Sequence, residues 1–166
     1  MGDRSEIVNI INLYAVALDG HRYELFDEIF AADVKTDFGG GAGWSSLEEL
    51  KAGFKAIHAV FGATQHAVSG HAVRVESDEA YCLSYVCGRF AREIDGQRAV
   101  FESTGWYDDH LVRTKAGWRI KDRVSRMFAA SGDIRVMQAM PGIDTNYTYF
   151  ALGDEADAGR VKFFAR

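Results

Sequence analysis

The hydrophobic period of this chain changes at Gly62, and no other feature constrains the fold as strongly. Before Gly62 apolar residues recur at the three- and four-residue spacing of helices; after it they alternate as in strands. Four strands are expected, at His66–Val75, Ala80–Arg92, Arg98–Thr114 and Trp118–Ala129. The breaks between them are Ser77-Asp78-Glu79, Asp95-Gly96 and Lys115-Ala116-Gly117. Each is too short for a crossover, so consecutive strands should be antiparallel neighbours. Helices followed by such a sheet make an α+β fold, with the helices and the concave sheet face enclosing a cavity.

The helical half is equally legible. Residues 3–18 carry an apolar stripe of Ile7, Ile10, Ile11, Tyr14 and Leu18, with Asp3 and Glu6 at capping-box spacing and Gly20 to end the helix. A short helix is expected over 22–30, with Leu25, Phe26, Ile29 and Phe30 inward, then a short strand Val34–Phe38. Gly39-Gly40-Gly41-Ala42-Gly43 has neither a Lys-Ser/Thr ending nor a dinucleotide fingerprint, so it reads as a turn or rim. Ser45 and Glu48 form a second capping box, opening a helix over 46–61 whose inner face is Leu47, Leu50, Phe54, Ile57 and Phe61. The domain should span residues 1–130. Residues 131–166 hold the only proline, Pro141, and are too apolar for a disordered tail. They are expected to cover the pocket or to pack on a neighbouring subunit.

A chain of 166 residues fits one domain. Its 11 Phe, 7 Tyr and 3 Trp exceed what the core needs, so some should line a cavity for a flat or cyclic apolar ligand. The net charge of -5, without a run of Lys or Arg, speaks against nucleic-acid binding. No apolar run reaches membrane-spanning length and no signal peptide precedes the first helix, so a cytoplasmic protein without membrane contact is expected. Cys82 and Cys87 lie at odd separation on one strand and should face opposite ways, which disfavours a disulfide. Metal-ligand spacing is absent, and Asp108-Asp109-His110 cannot converge on one ion from a strand, so neither metal nor cofactor is expected.

Chemistry points to Asp19, at the end of the first helix, and His66, at the start of the first long strand. Brought together in an apolar pocket, they form a general acid/base pair in which the carboxylate orients the imidazole. Tyr14 could donate to a developing oxyanion, or serve packing alone, since it lies on the helix stripe. Tyr81 and Tyr85 share one face of the second long strand and could supply the same donor if that face lines the cavity. His71 lies at odd separation from His66, so only a bulge near Gly70 would bring it to the same face. His21, His58 and His110 read as surface or rim residues.

Tyr14…Leu18-Asp19-Gly20, Gln65-His66, Gly105-Trp106-Tyr107-Asp108-Asp109 and Gly117-Trp118-Arg119-Ile120 occur in an order that resembles the SnoaL-like branch of the nuclear transport factor 2-like superfamily, over residues 5–130. That branch includes scytalone dehydratase, bile-acid 7-alpha-dehydratase and gamma-hexachlorocyclohexane dehydrochlorinase. The resemblance implies a cone-shaped barrel, His66 as general base with Asp19 orienting it, and pocket roles for Tyr14 and Arg126. Arg126 would face an anionic or phenolic oxygen, or else be a salt-bridging sheet residue. Tyr85, Tyr81, Phe54, Trp106 and Phe128 are the expected substrate contacts. A homotrimer is implied, with the C-terminal segment over the pocket. The expected activity is a cofactor-independent lyase that dehydrates a cyclic or aromatic apolar substrate or releases a small carbonyl such as formaldehyde. The alternatives are an isomerase or cyclase with the same dyad, and a non-catalytic small subunit of a ring-hydroxylating dioxygenase or a ligand-binding protein.

Overall fold

A computed structural model describes residues 2–165. Helix α1 (Asp3–Asp19) buries the predicted stripe completely. It has no capping box: Gly2 is the N-cap, and the first-turn acids reach across to the sheet. Asp3 accepts from the Arg113 guanidinium and the Trp118 indole N–H, and Glu6 accepts from the Trp118 backbone. These bonds pin the helix start to the last sheet turn.

The short helix expected over 22–30 is a 3-10 turn, Tyr23–Leu25, followed by α2 (Phe26–Ile29). It ends early because Phe30 already belongs to β1 (Phe30–Asp37), which pairs in parallel with β6 (Gly117–Gly132). A two-residue strand β2 (Gly43–Trp44) follows, then α3 (Leu47–His58). The α3 box lies one residue later than Ser45/Glu48: Ser46 Oγ accepts from the Glu49 amide, and the Glu49 carboxylate accepts from the Ser45 amide.

Strands β3 (Ala63–Glu76), β4 (Glu79–Ile94), β5 (Gln97–Thr114) and β6 are consecutive antiparallel neighbours, as the short turns require. The six-stranded order is β2-β1-β6-β5-β4-β3. The sheet curves but does not close into a barrel; α1 and α3 cover its concave side. Bulges near Gly70, Thr104/Gly105 and His110/Leu111 accompany the curvature. At Gly70 (φ 63°) β3 gains a residue, so the buried positions move from the parity of His66 and Val68 to that of Val73. The bulge takes His71 out of simple alternation. Its Nε2 is buried, yet it does not line the cavity described below.

Beneath the cavity Arg123 and Asp109 form a fully buried two-bond ion pair, at 2.7 and 2.8 Å. The guanidinium carbon lies 4.2 Å from the ring centres of both Tyr14 and Tyr107. Burial pushes the guanidinium pKa down, but the Asp109 charge and hydrogen bonds outweigh it, and Arg123 stays charged. The chain after β6 folds back twice. Its 3-10 helix Ile134–Ala139 buries Val136 and Met137 against Phe61, Phe90 and Phe101. Beyond α4 (Leu152–Asp157), Val161 packs on Leu83 and Trp106, on the convex sheet face. There the Asp108 carboxylate accepts from the backbone of Lys162 and Phe163, at 2.6 and 3.1 Å.

Asp109→Ala should cost about 3–5 kcal/mol by urea denaturation, because it leaves a buried guanidinium uncompensated. The pair Asp109→Leu/Arg123→Met should recover most of that loss.

Candidate active site

Between the concave sheet face, α1, α3 and the C-terminal segment lies a cavity of about 150 Å³. His66 enters it from β3, with its side chain only 7% exposed. Its Nδ1 lies 2.7 Å from Asp19 Oδ1. Asp19 also accepts from the His66 backbone N–H (2.6 Å, to Oδ2) and from the Thr64 hydroxyl (2.8 Å, to Oδ1). The end of α1 is therefore clamped to the start of β3 by one carboxylate. Burial alone would raise the Asp19 pKa, but the hydrogen bonds and charge of His66, with Thr64, lower it below the ordinary value. An ionised carboxylate only accepts, so Nδ1 donates to it, and Nε2 is the nitrogen on the opposite ring edge. Phe90 meets the imidazole edge-on at 5.4 Å. Gly88 is the cross-strand neighbour of His66; a Cβ there would come within 3.1 Å of the Phe90 ring.

Tyr14 and Phe54, both expected from the sequence, line the cavity. Tyr107 joins them, its ring edge-on to Tyr14 at 5.8 Å. Burial pushes the Tyr14 pKa well up and that of Tyr107 to about 12, so both hydroxyls stay protonated as donors. Arg126 reaches the rim, but its guanidinium is bound to the Asp37 carboxylate (2.8 Å) and the Ser125 carbonyl (2.9 Å), over the Phe150 ring.

Four expected substrate contacts lie outside the cavity. On β4 it is the even positions, Val86, Gly88 and Phe90, that line it, which leaves Tyr81 and Tyr85 on the convex side. Tyr81 stacks on His110 and carries Arg74 over its ring. Tyr85 is 55% exposed and Phe128 62% exposed, while Trp106 is buried beneath the returning C-terminal segment. Alternation shows which side chains share a face; which face turns inward is set by how the helices cover the sheet. The remaining cavity wall comes from the C-terminal segment, through Met137, Met140, Ile143 and Tyr147. Among the described residues no cluster of His, Cys, Asp and Glu is arranged to hold a metal ion, and no helix is long and apolar enough to cross a membrane.

Residues 1–124 match the SnoaL-like domain. An uncharacterized protein of Mycobacterium tuberculosis is 30% identical over 125 residues, which cover 75% of this chain and 84% of that protein. The chain belongs to the SnoaL-like family. Solved structures share the fold. A candidate scytalone dehydratase from Novosphingobium aromaticivorans superposes with a TM-score of 0.69 at 21% identity, covering 78% of this chain and 87% of that one. A type 2 hexachlorocyclohexane dehydrochlorinase gives 0.71 at 15% identity, covering 84% and 95%.

The SnoaL-like cavity also contains a residue that sequence reasoning put at the surface or rim. His58 is 3% exposed and lines the wall from the end of α3. Its position was legible, since it follows Phe54 by one helical i, i+4 step on the buried face. Its Nδ1 lies 3.0 Å from the Phe54 carbonyl oxygen, so Nδ1 is the protonated nitrogen. Burial, with the nearby His66 charge, pushes its pKa down to about 4 from 6.5. In that interval the unfolded chain binds a proton that the folded chain does not, so stability rises with pH through it and is lost on acidification. Between about pH 7 and about pH 5 the wild type should lose about 2 kcal/mol more stability than His58→Gln, measured by denaturant titration at each pH.

Proposed function

We propose that this protein is a cofactor-independent lyase acting on a small cyclic or aromatic apolar substrate, with His66 as general base and Asp19 as the group that orients it. The observation that carries this reading is the threefold anchoring of Asp19, which holds the His66 ring by Nδ1 in the wall of an apolar cavity and leaves Nε2 on the opposite ring edge. In a dehydration, neutral His66 takes a proton from carbon at Nε2, the C–H electron pair becomes the new double bond, and the departing hydroxyl oxygen takes that proton back from the imidazolium and leaves as water. In release of formaldehyde, Nε2 takes the hydroxymethyl O–H proton, the O–H electron pair forms the carbonyl, the C–C bond pair passes to the ring-side carbon, and that carbon takes the proton back from the imidazolium. Tyr14 and Tyr107 serve either reaction as protonated donors to developing negative charge. Arg126, held by Asp37 at the rim, is given no chemical step. The family membership and the dehydratase and dehydrochlorinase neighbours are consistent with this class. On the same reading the protein works as a cytoplasmic homotrimer, with exposed Tyr85 and Phe128 available as subunit contacts.

The test is a mass-resolved product screen of the purified protein against hydroxylated cyclic and aromatic compounds, without added cofactor. Wild type should release water or formaldehyde. His66→Ala should lower kcat/KM by about 10²–10⁴-fold, as expected for loss of a general base. Asp19→Asn should cut kcat with little change in KM, because an amide no longer fixes the reactive tautomer. A mass-neutral product lost with His66 would replace elimination by isomerisation or cyclisation. Full activity in His66→Ala would remove the dyad from the mechanism.

A further inference from the structure

The proposed base uses one of two imidazoles in the cavity wall. The other, His58, has its ring centre 6.3 Å from that of His66. Its Nδ1–H is committed to the Phe54 carbonyl in the preceding helical turn, which turns the opposite ring edge, bearing Nε2, away from its own helix. Nε2 is buried and has no protein partner among the described residues. In this tautomer Nε2 has a lone pair and no proton, so it only accepts. Packing alone does not account for it. The ring lies edge-on to Phe54 at 5.3 Å and to Phe61 at 5.8 Å, contacts that a phenylalanine would make without burying an unpaired acceptor. A second unpaired polar atom, the buried Tyr147 hydroxyl, lies in the part of the wall supplied by the C-terminal segment.

We infer that His58 Nε2 is the acceptor for a hydroxyl group on the ligand, so that the cavity selects a ring bearing O–H over the same ring without it. A volume of about 150 Å³ matches apolar cavities known to take a benzene-sized ring. The ligand class is therefore a single six-membered ring carrying a hydroxyl, a phenol or a cyclic alcohol, with that oxygen held beside the proposed base. A carbonyl or ether oxygen in the same place would meet the lone pair without a proton to share. The inference rests on the cavity being the ligand site, as in the function proposed above, and specifies one contact within it.

Phenol and toluene test it without turnover, since they match in shape and differ by O–H against CH₃. By calorimetric titration, wild type should bind phenol at least as tightly as toluene, although apolar walls by themselves favour toluene. His58→Phe should still bind toluene and should shift the phenol-to-toluene affinity ratio against phenol by about tenfold. In wild-type protein labelled with ¹⁵N-histidine, the His58 Nε2 resonance should move upfield on adding phenol and stay in place with toluene. That measurement decides the matter alone if His58→Phe does not fold. An unchanged ratio in the variant, a stationary Nε2 resonance at saturating phenol, or failure of wild type to bind phenol overturns the inference. Selective phenol binding by a protein that converts no compound in the product screen would leave it standing while removing the lyase reading.

Discussion

Asp19 lies where the first helix ends against the first long strand, and its carboxylate accepts from three groups of that strand at once. The Thr64 hydroxyl and the His66 amide fix where β3 docks on α1. The His66 ring N–H fixes how the imidazole is turned. Among the described residues no Lys or Arg is recruited to offset the half-buried charge; polar hydrogens of Thr64 and His66 do so. The same contact thus docks helix on sheet and sets the orientation of the candidate base. Replacing Asp19 would disturb both together.

A cavity inside a close-packed domain stays open only if its walls cannot collapse inward. Here the floor is held by Tyr14 and Tyr107, whose rings meet edge-on and both rest against the buried Arg123 guanidinium while Asp109 neutralises it. The ion pair spans β5 and β6, and Tyr14 comes from α1, so three elements meet at one rigid point. The roof is the C-terminal segment, itself retained by Asp108 and Arg74 bonding to backbone near its end. Neighbouring carboxylates, Asp108 and Asp109, thereby act on opposite faces of one strand: one secures the cavity floor, the other the strap across the convex side.

Four of the residues that sequence reading misplaced share one physical cause. Tyr81 and Tyr85 were rightly assigned to a common face, yet that face is the convex one, and Trp106 and Phe128 belong to the same side. An alternating pattern is symmetric when both faces carry apolar residues, as they do here because the C-terminal segment covers part of the outer face. His58 was misjudged for a different reason. Its spacing from Phe54 puts it on the buried stripe, but burial of a histidine needs a partner such as the Phe54 carbonyl that only the folded backbone identifies. The Gly70 bulge is intermediate: glycine marked where alternation could slip, and the register shows that it does.

Sequence alone determined the α+β class, the antiparallel succession of four long strands, the buried stripe of α1, and the candidacy of Asp19 and His66. These follow from short-range periodicity, from turns too short for crossovers, and from chemistry placed at element ends. Tertiary structure decided the parallel seat of β1 beside β6, the open rather than closed sheet, the inward face, the Arg123–Asp109 pair and the unpaired Nε2 of His58. The division has a physical basis. Periodicity records whether a residue is buried, whereas the identity of its partner depends on which distant elements pack together, and that is settled only when the chain closes around its core.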